Sequence, residues 1–244
     1  MQKKKLRVLV DRGFDKDYES FLSKTFDLEI IKFKKDKNDK YPNDIDLLVF
    51  TGGSDVNPTL YGEKVGSNTV TNINRDNEES DMYNYFSHLP KLGICRGSQF
   101  LTVMSGGKLV QHVEGHTRNH KIHLDVEGYS LRGGNSNDLL ELEITSTHHQ
   151  MMFPYNLKHN AYKILGWSKK YLSDVYLDGE NKEIELPTDF LEPEIVYYKN
   201  SRSLCVQGHP EMDSCPEKTK LIILRLIRDY LINNVEYKNE IQSW

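Results

Sequence analysis

The segment LGICRGSQF contains one cysteine between two glycines. Cys95 lies two positions from Gly93 and two from Gly97, and a hydrophobic run before it gives way to a helix-like stretch after it. This spacing is typical of a sharp strand-to-helix turn, because larger side chains at the glycine positions would collide with the chain. Such a turn places the thiol beside a helix N-terminus, which favours the nucleophilic thiolate. The alternative is a small buried hydrophobic residue, which free cysteines often are.

A histidine and a glutamate occur together in the later segment VQGHPEM. His209 and Glu211 follow a predicted strand, and Pro210 between them argues against a helix. Residues two apart in an extended chain point the same way, so the Glu211 carboxylate could orient the His209 imidazole. A thiol, a base and an orienting carboxylate are the components of nucleophilic catalysis. A surface turn without a catalytic role is the alternative interpretation.

The first half of the chain predicts the elements that must position these residues. The segments KLRVLV, LEIIKF, DIDLLVF and residues 91–94 predict strands. Helices are predicted for residues 15–26, about 77–88 and 96–105. Alternating strands and helices favour an α/β fold with a parallel sheet covered on both faces.

The second half of the chain has a different pattern. Short alternating segments between about 108 and 147, such as HKIHLDV and LELEITS, predict antiparallel strands at the edge of the same sheet. The acidic, turn-rich residues 174–194 predict a surface hairpin or loop insertion. EIVYYK and SLCVQG predict paired strands around a turn at 200–202, and Pro216 opens a last helix. We expect a single domain over residues 1–244.

Composition limits the class of protein and its partners. The 244 residues are 37% hydrophobic and 28% charged, which is typical of a globular protein. A net charge of -4 provides no basic face for nucleic acid. No apolar stretch has the length of a signal peptide or membrane span, so we expect a cytoplasmic protein that binds neither nucleic acid nor membranes. Three cysteines predict free thiols rather than a disulfide framework.

The motifs together resemble the class I glutamine amidotransferases. GICRGSQ and HPE carry this resemblance, and TGGSDVNPTLYGE, NRD and STHHQ narrow it to the γ-glutamyl-γ-aminobutyrate hydrolases and related γ-glutamyl hydrolases, the peptidase C26 branch. The similarity extends from about residue 44 to 213. It implies a flavodoxin-like, doubly wound, mostly parallel sheet with an antiparallel extension.

The resemblance also implies roles for individual residues. Cys95 would be the nucleophile, His209 the general base and acid, and Glu211 the orienting carboxylate. The N–H groups of Gly53 and Arg96 would form the oxyanion hole. The residues implied to shape or line the substrate pocket are Gly52, Gln99, His149 and Gln150.

The implied reaction is acyl transfer that needs no metal or organic cofactor. A thiolate attacks the γ-glutamyl amide, and water releases glutamate from the resulting thioester. Three functions stay open: a stand-alone hydrolase of glutamine or a γ-glutamyl amine, a glutaminase subunit that passes ammonia to a separate synthase, and a catalytically silent binding module. The sequence does not specify the amine leaving group or the oligomeric state.

Two positions depart from the pattern of the family. Gly208 stands where an aromatic residue is common, and Thr51 stands where proline is usual. Neither change removes a catalytic group, but the glycine predicts a wider pocket beside His209. The stretch 166–193 is also longer than usual, so the preferred leaving group stays open.

A histidine-rich stretch invites a metal-site hypothesis. Its members are His112, His116, His120 and His123. Gly115 and the alternating pattern argue against the helix that would align these side chains, and no neighbouring cysteine or carboxylate cluster completes a coordination shell. We therefore expect solvated or packed histidines and no metal ligands.

Arg75 and Asp76 follow the glycine loop and could anchor substrate carboxylates. Exposed charge pairs usually contribute little, and we expect these two residues to pair on a loop surface.

Overall fold

The computed structural model describes residues 5–11, 16–32, 41–125 and 139–233. Its strands, in chain order, are β1 Leu6–Val10, β2 Leu28–Lys32, β3 Leu47–Phe50, β4 Lys91–Ile94, β5 Lys108–Val110, β6 His112–Val113, β7 His120–Leu124, β8 Leu140–Ile144, β9 Met151–Phe153, β10 Tyr162–Ser168, β11 Tyr176–Leu177, β12 Pro193–Tyr198 and β13 Ser203–Val206. Its α-helices are α1 Lys16–Ser23, α2 Ile73–Tyr85, α3 Arg96–Met104 and α4 Glu217–Leu226, the last continued by a π-helical segment, Ile227–Ile232. Short 3₁₀ turns cover Pro58–Tyr61 and Pro154–Asn156. Within those ranges, no helix combines the length and the apolar character needed to cross a membrane.

A nine-stranded sheet has the order β2-β1-β3-β4-β13-β12-β10-β7-β8. The strands from β2 to β13 in this order pair in parallel. From β13 to β8 every pairing is antiparallel. The predicted flavodoxin-like sheet with an antiparallel extension is therefore confirmed, and so is the predicted pairing of the last two strands around residues 200–202.

Both faces of the sheet are covered because its strands are apolar on both sides. In β3, Leu47 and Val49 face one hydrophobic cluster, whereas Leu48 and Phe50 face another. Helices α1 and α4 contribute side chains to the first cluster, and α2 and α3 contribute to the second. Each large apolar side chain buried in this way stabilises the fold by about 1.5–3 kcal/mol. The sheet is thus a rigid layer whose edges can hold loops in place.

Helix α2 begins earlier than the sequence predicted. Asn72 caps it, because its side-chain oxygen accepts the backbone N–H of Arg75 at 3.1 Å. Arg75 and Asp76 are consequently helical and buried, and the expectation of an exposed pair on a loop is wrong. The other predicted helices start and end within a few residues of the expected positions, although residue 15 lies outside the described ranges.

Further strands are formed by residues 108–147 and by the acidic segment 174–194. Strands β7 and β8 extend the sheet as predicted, whereas β5 pairs with β9 and β6 with β11 in two small ribbons; residues 126–138 are not described. The acidic segment does contain a hairpin-like bridge between Leu177 and Glu183. It is not wholly a surface feature, however, because Phe190 is buried in a third apolar cluster.

Candidate active site

The parallel strands β1, β3, β4 and β13 end at the same edge of the sheet, where ligands bind in open α/β folds. The glycine loop follows β3, Cys95 follows β4, and His209 lies three positions beyond β13. Residues far apart in the chain therefore meet at one edge.

The turn at Cys95 is tight and strained. Cys95 has φ 53° and ψ -113°, a conformation that costs a non-glycine residue about 1–3 kcal/mol and persists only when the surroundings enforce it. A Cβ atom on Gly97 would lie 2.0 Å from the carbonyl oxygen of Phe50, and one on Gly93 would lie 2.5 Å from the carbonyl oxygen of Gly97. Both glycines are required because backbone passes directly over them.

His209 is held on both sides of its ring. Its Nδ1 lies 2.7 Å from Oε1 of Glu211, and its Nε2 lies 2.8 Å from Oγ1 of Thr147. Burial acts to lower the pKa of His209, but hydrogen bonding to Cys95 and Glu211 outweighs it and raises the pKa to about 10. The imidazole therefore carries a positive charge at neutral pH.

Cys95 and His209 open into one pocket of about 390 Å³. Gly52 lies between them, since a methyl group there would be 3.3 Å from His209 Cε1 and 3.7 Å from Cys95 Cβ. The thiol-bearing residue is 8% exposed, so the pocket gives it limited access to solvent. The other residues lining the pocket are Gly53, Ser54, Asp55, Val70, Gln99, Thr147, His148, His149 and Gln150. Gly52, Arg96 and Glu211, which the sequence also predicted for the site, are not among the residues that line this pocket.

The side chains implied to bind substrate are each held by a neighbouring group. Gln99 Nε2 donates to the carbonyl oxygen of Gln150 at 3.0 Å, and Gln150 Nε2 donates to Thr69 at 3.1 Å. His149 Nε2 lies 3.3 Å from Asp55 Oδ1, and this hydrogen bond raises the pKa of His149 despite partial burial. The pocket thus contains a basic and an acidic group side by side.

Arg75 is a positioning residue that the sequence analysis missed. Its guanidinium donates to the carbonyl oxygens of Thr51 at 2.9 Å and Gly52 at 2.8 Å, and it pairs with Asp11 at 2.8 Å. Thr51 Oγ1 donates to the same aspartate at 2.8 Å. The hydroxyl of threonine, where family members usually have proline, thereby joins the network that fixes the glycine loop.

The same network of ion pairs extends to helix α3, which follows Cys95. Glu79 pairs with Arg75 through one oxygen, at 2.5 Å, and with the side chain of Arg96 through the other. Asp76 also pairs with Arg96. Burial and the nearby Arg75 lower the pKa of Arg96 to about 10, so its guanidinium stays charged at neutral pH. Ion pairs and hydrogen bonds from α2 therefore connect the loop that carries Gly53 to helix α3, which begins at Arg96.

The space beside Gly208 is occupied rather than open. A Cβ atom at this position would lie 2.6 Å from Cγ1 of Ile144 and 2.8 Å from the carbonyl oxygen of Thr145. The sequence expectation of a wider pocket beside His209 is wrong, because β8 fills the direction in which a side chain would point.

The flavodoxin-like sheet, with a cysteine on a strand-to-helix turn beside a histidine–glutamate pair, defines a protein of the class I glutamine amidotransferase type. The family model described as peptidase C26 matches residues 25–162, more than half of the chain. The chain belongs to this family.

Similarity to individual proteins is partial in sequence. A Schizosaccharomyces pombe protein named as a candidate glutamine amidotransferase is 40% identical over 76 residues, which cover 30% of each chain. A Mycobacterium tuberculosis protein with a corresponding name is 28% identical over 177 residues, covering 67% of this chain and 50% of that protein. The alignments with these curated relatives thus span half of the relatives' own length or less.

Similarity to solved structures extends over the whole fold. A Thermoplasma acidophilum protein described as a candidate component of GMP synthase has a TM-score of 0.59 and 17% identity, with all of both chains covered. A glutamine amidotransferase from Thermotoga maritima has a TM-score of 0.52 and 16% identity, covering 97% of this chain and 86% of that one. At these identities the comparison establishes the fold alone.

Proposed function

We propose that this protein is a hydrolase that cleaves a γ-glutamyl amide bond through a thioester on Cys95. The observation that carries the proposal is the strained turn that presents Cys95 to a pocket shared with His209, whose ring is hydrogen-bonded to Glu211. Nucleophilic catalysis by cysteine uses the thiolate as the attacking species, with an adjacent histidine as its base.

In the first step, the sulfur of Cys95 attacks the δ-carbonyl carbon of the substrate. The carbonyl oxygen becomes an oxyanion, and in this proposal the N–H groups of Gly53 and Arg96 bind it. Each well-aimed donor of this kind contributes about 3 kcal/mol to stabilising the transition state. The buried network around Arg75 supports this role, because it fixes the loop and the helix that carry the two donors.

His209 then donates its Nε2 proton to the departing nitrogen, and a glutamyl thioester remains on Cys95. A water molecule that gives its proton back to His209 attacks the thioester, releases glutamate and regenerates the thiolate. Glu211 stabilises the imidazole in the steps in which it is charged and holds its orientation throughout. The hydroxyl of Thr147 is hydrogen-bonded to Nε2, and this bond would have to break when Nε2 donates to the leaving group.

The pocket also suits the free end of a γ-glutamyl group. Such a group carries an ammonium and a carboxylate on one carbon. Asp55 and His149 offer a carboxylate and an imidazole 3.3 Å apart, and both line the pocket that contains Cys95. A pocket of about 390 Å³ has room for the glutamyl group and a small amine.

A panel of glutamine and γ-glutamyl amines tests the proposal through glutamate release. We expect the chain alone to release glutamate from at least one γ-glutamyl amine, with a turnover that does not rise when candidate synthase partners are added. One fold neighbour is named as a candidate component of GMP synthase, so partner addition is a necessary arm of the test. No release from any compound, or glutaminase activity that requires a synthase, would contradict the proposed stand-alone hydrolase.

The alkaline limit of activity should depend on Glu211. His209 must carry a proton to act as the general acid, and its raised pKa keeps that proton until about pH 10. Removing the carboxylate withdraws a hydrogen bond that raises this pKa, so Glu211→Gln should move the alkaline fall of kcat/KM to lower pH. The measurement is kcat/KM between pH 6 and 11.

Glu217→Gln is the matched control, because it makes the same chemical change at an exposed position on α4. The control should keep the wild-type profile. An alkaline limb at the same pH in wild type and Glu211→Gln would show that Glu211 does not set the protonation of the general acid.

A further inference from the structure

A second cluster of titratable side chains lies behind the pocket. Oε1 of Glu194, on β12, is 3.2 Å from Nδ1 of His116, 2.8 Å from Nε2 of His120 and 3.6 Å from Nε2 of His148. The four side chains are between 0% and 7% exposed. Three imidazoles therefore converge on one carboxylate in the interior of the fold.

The outward-facing nitrogens of two of these rings have their own hydrogen-bond acceptors. Nδ1 of His148 lies 2.9 Å from the carbonyl oxygen of Gln150, and Nδ1 of His120 lies 3.0 Å from that of Arg118. Nε2 of His116 lies 3.4 Å from a carboxylate oxygen of Glu192 but makes no hydrogen bond to a described residue. Because a neutral imidazole has one N–H and one lone pair, donation to the carbonyl oxygens turns the lone pairs of His148 and His120 inward. Carbonyl and carboxylate acceptors of this kind characterise metal-bound histidines.

Oε1 of Glu194 also accepts from the hydroxyl of Ser168 at 3.4 Å, but two other inward-facing atoms have no hydrogen-bond partner in the described part of the chain. Among the described residues, Nε2 of His148 and Oε2 of Glu194 are buried and have no hydrogen-bond partner. A buried polar atom without a partner is costly. A divalent cation coordinated by these atoms would supply the missing partner, and its charge would balance the carboxylates of Glu192 and Glu194.

We propose that His116, His148 and Glu194 bind a divalent transition-metal ion, with His120 as a fourth ligand. The ligand atoms of the first three lie within 4.8 Å of one another, which small side-chain movements bring to the spacing of ligands around one ion. Three imidazoles and one carboxylate suit Zn²⁺, whereas Mg²⁺ and Ca²⁺ prefer oxygen ligands. Four protein ligands with no open position indicate a structural site.

The fold assembles this site from distant parts of the chain. His120 lies on β7 and Glu194 on β12, with β10 between these strands, and the two residues are 74 positions apart. The spacing of the histidines alone does not reveal this site, because the proposed carboxylate ligand comes from another strand.

A metal ion here would fix one wall of the catalytic pocket. His148 immediately follows Thr147, which contacts His209, and it shares the carbonyl oxygen of Gln150 with Gln99. Holding His148 against β12 thus anchors the segment that lines the pocket. The metal assignment itself does not depend on the proposed hydrolase function.

The test measures metal bound by the full chain after removal of metal with a chelator, reloading with Zn²⁺ and gel filtration. We expect about one Zn²⁺ per wild-type chain, and a visible absorption spectrum of four-coordinate Co²⁺ when Co²⁺ replaces it. Mg²⁺ should neither bind at this site nor displace Co²⁺. Glu194→Gln and His116→Gln should each lower the bound Zn²⁺ at least fivefold, whereas His123→Gln, on the same strand as His120, should keep it.

Thermal unfolding of the wild type makes the test independent of how well the variants fold. At a Zn²⁺ concentration about a thousandfold above Kd, the melting temperature should rise by roughly 8 °C or more over that of the metal-free chain. A wild-type chain that retains less than about a tenth of an equivalent of Zn²⁺ and melts at the same temperature with and without it would overturn the proposal. Equal Zn²⁺ binding by wild type and both ligand variants would also overturn it.

Discussion

Cys95→Ala is expected to lower kcat/KM for γ-glutamyl amide hydrolysis by about a thousandfold or more, with little loss of stability. The expected loss is large because the variant has no atom that can form the thioester, whereas the oxyanion donors and the pocket remain. Stability should be nearly retained because alanine removes only the sulfur and keeps the Cβ that borders Gly52. The measurements are steady-state glutamate release and chemical denaturation.

Cys215→Ala is the control for nonspecific effects of removing a thiol. Cys215 is also buried but lies outside the pocket, and its variant should keep activity within about twofold of the wild type. Comparable loss of activity in both variants would show that the effect on catalysis does not come from a nucleophile at position 95.

A covalent probe distinguishes a reactive thiol from a packed one. Burial raises the pKa of both Cys205 and Cys215, which keeps these thiols protonated and unreactive at neutral pH. A glutamine-like electrophile should therefore add one equivalent of mass to the wild type, at Cys95, and none to Cys95→Ala. Modification of the other cysteines while Cys95 stays unmodified would favour the silent binding module.

Local spacing was enough to predict the turn at Cys95. The need for glycine at positions 93 and 97 comes from atoms within one strand, one turn and one helix, together with the strand next to them. His209 and Glu211 are likewise brought together by their separation of two residues, as the 2.7 Å contact between their side chains reflects. Such contacts can be predicted from one sequence because they depend mainly on residues that are close together in the chain.

Long-range contacts account for what the sequence did not reveal. The sequence places Arg75 in a polar stretch, but the cap at Asn72 starts the helix early and directs Arg75 toward loops after β1 and β3. Ile144 of β8 fills the space that a side chain at position 208 would occupy. The position of β8 depends on the order of strands in the antiparallel half of the sheet. Neither outcome has a local signal, because each requires the order of strands to be known.

Gly97→Ala should be among the most destabilising single substitutions in this chain. The added methyl carbon would lie 2.0 Å from the carbonyl oxygen of Phe50 and 2.4 Å from its carbonyl carbon. These are backbone atoms of β3, a strand that pairs with both β1 and β4, so relief of the clash must displace the centre of the sheet. We expect the free energy of unfolding to fall by about 4 kcal/mol or more, measured by denaturation in urea.

Gly62→Ala separates this clash from the ordinary cost of replacing glycine. Gly62 has φ 76°, but no atom lies within 4 Å of the position of an added Cβ, so backbone strain alone should cost about 1–3 kcal/mol. If Gly97→Ala gives no folded chain while Gly62→Ala folds, the result is the extreme form of the expected difference. If Gly97→Ala unfolds within about 1 kcal/mol of the wild type, the strand and the turn are not in contact as described. Because the experiment measures unfolding alone, it tests the geometry that presents Cys95 without assuming any reaction at its sulfur.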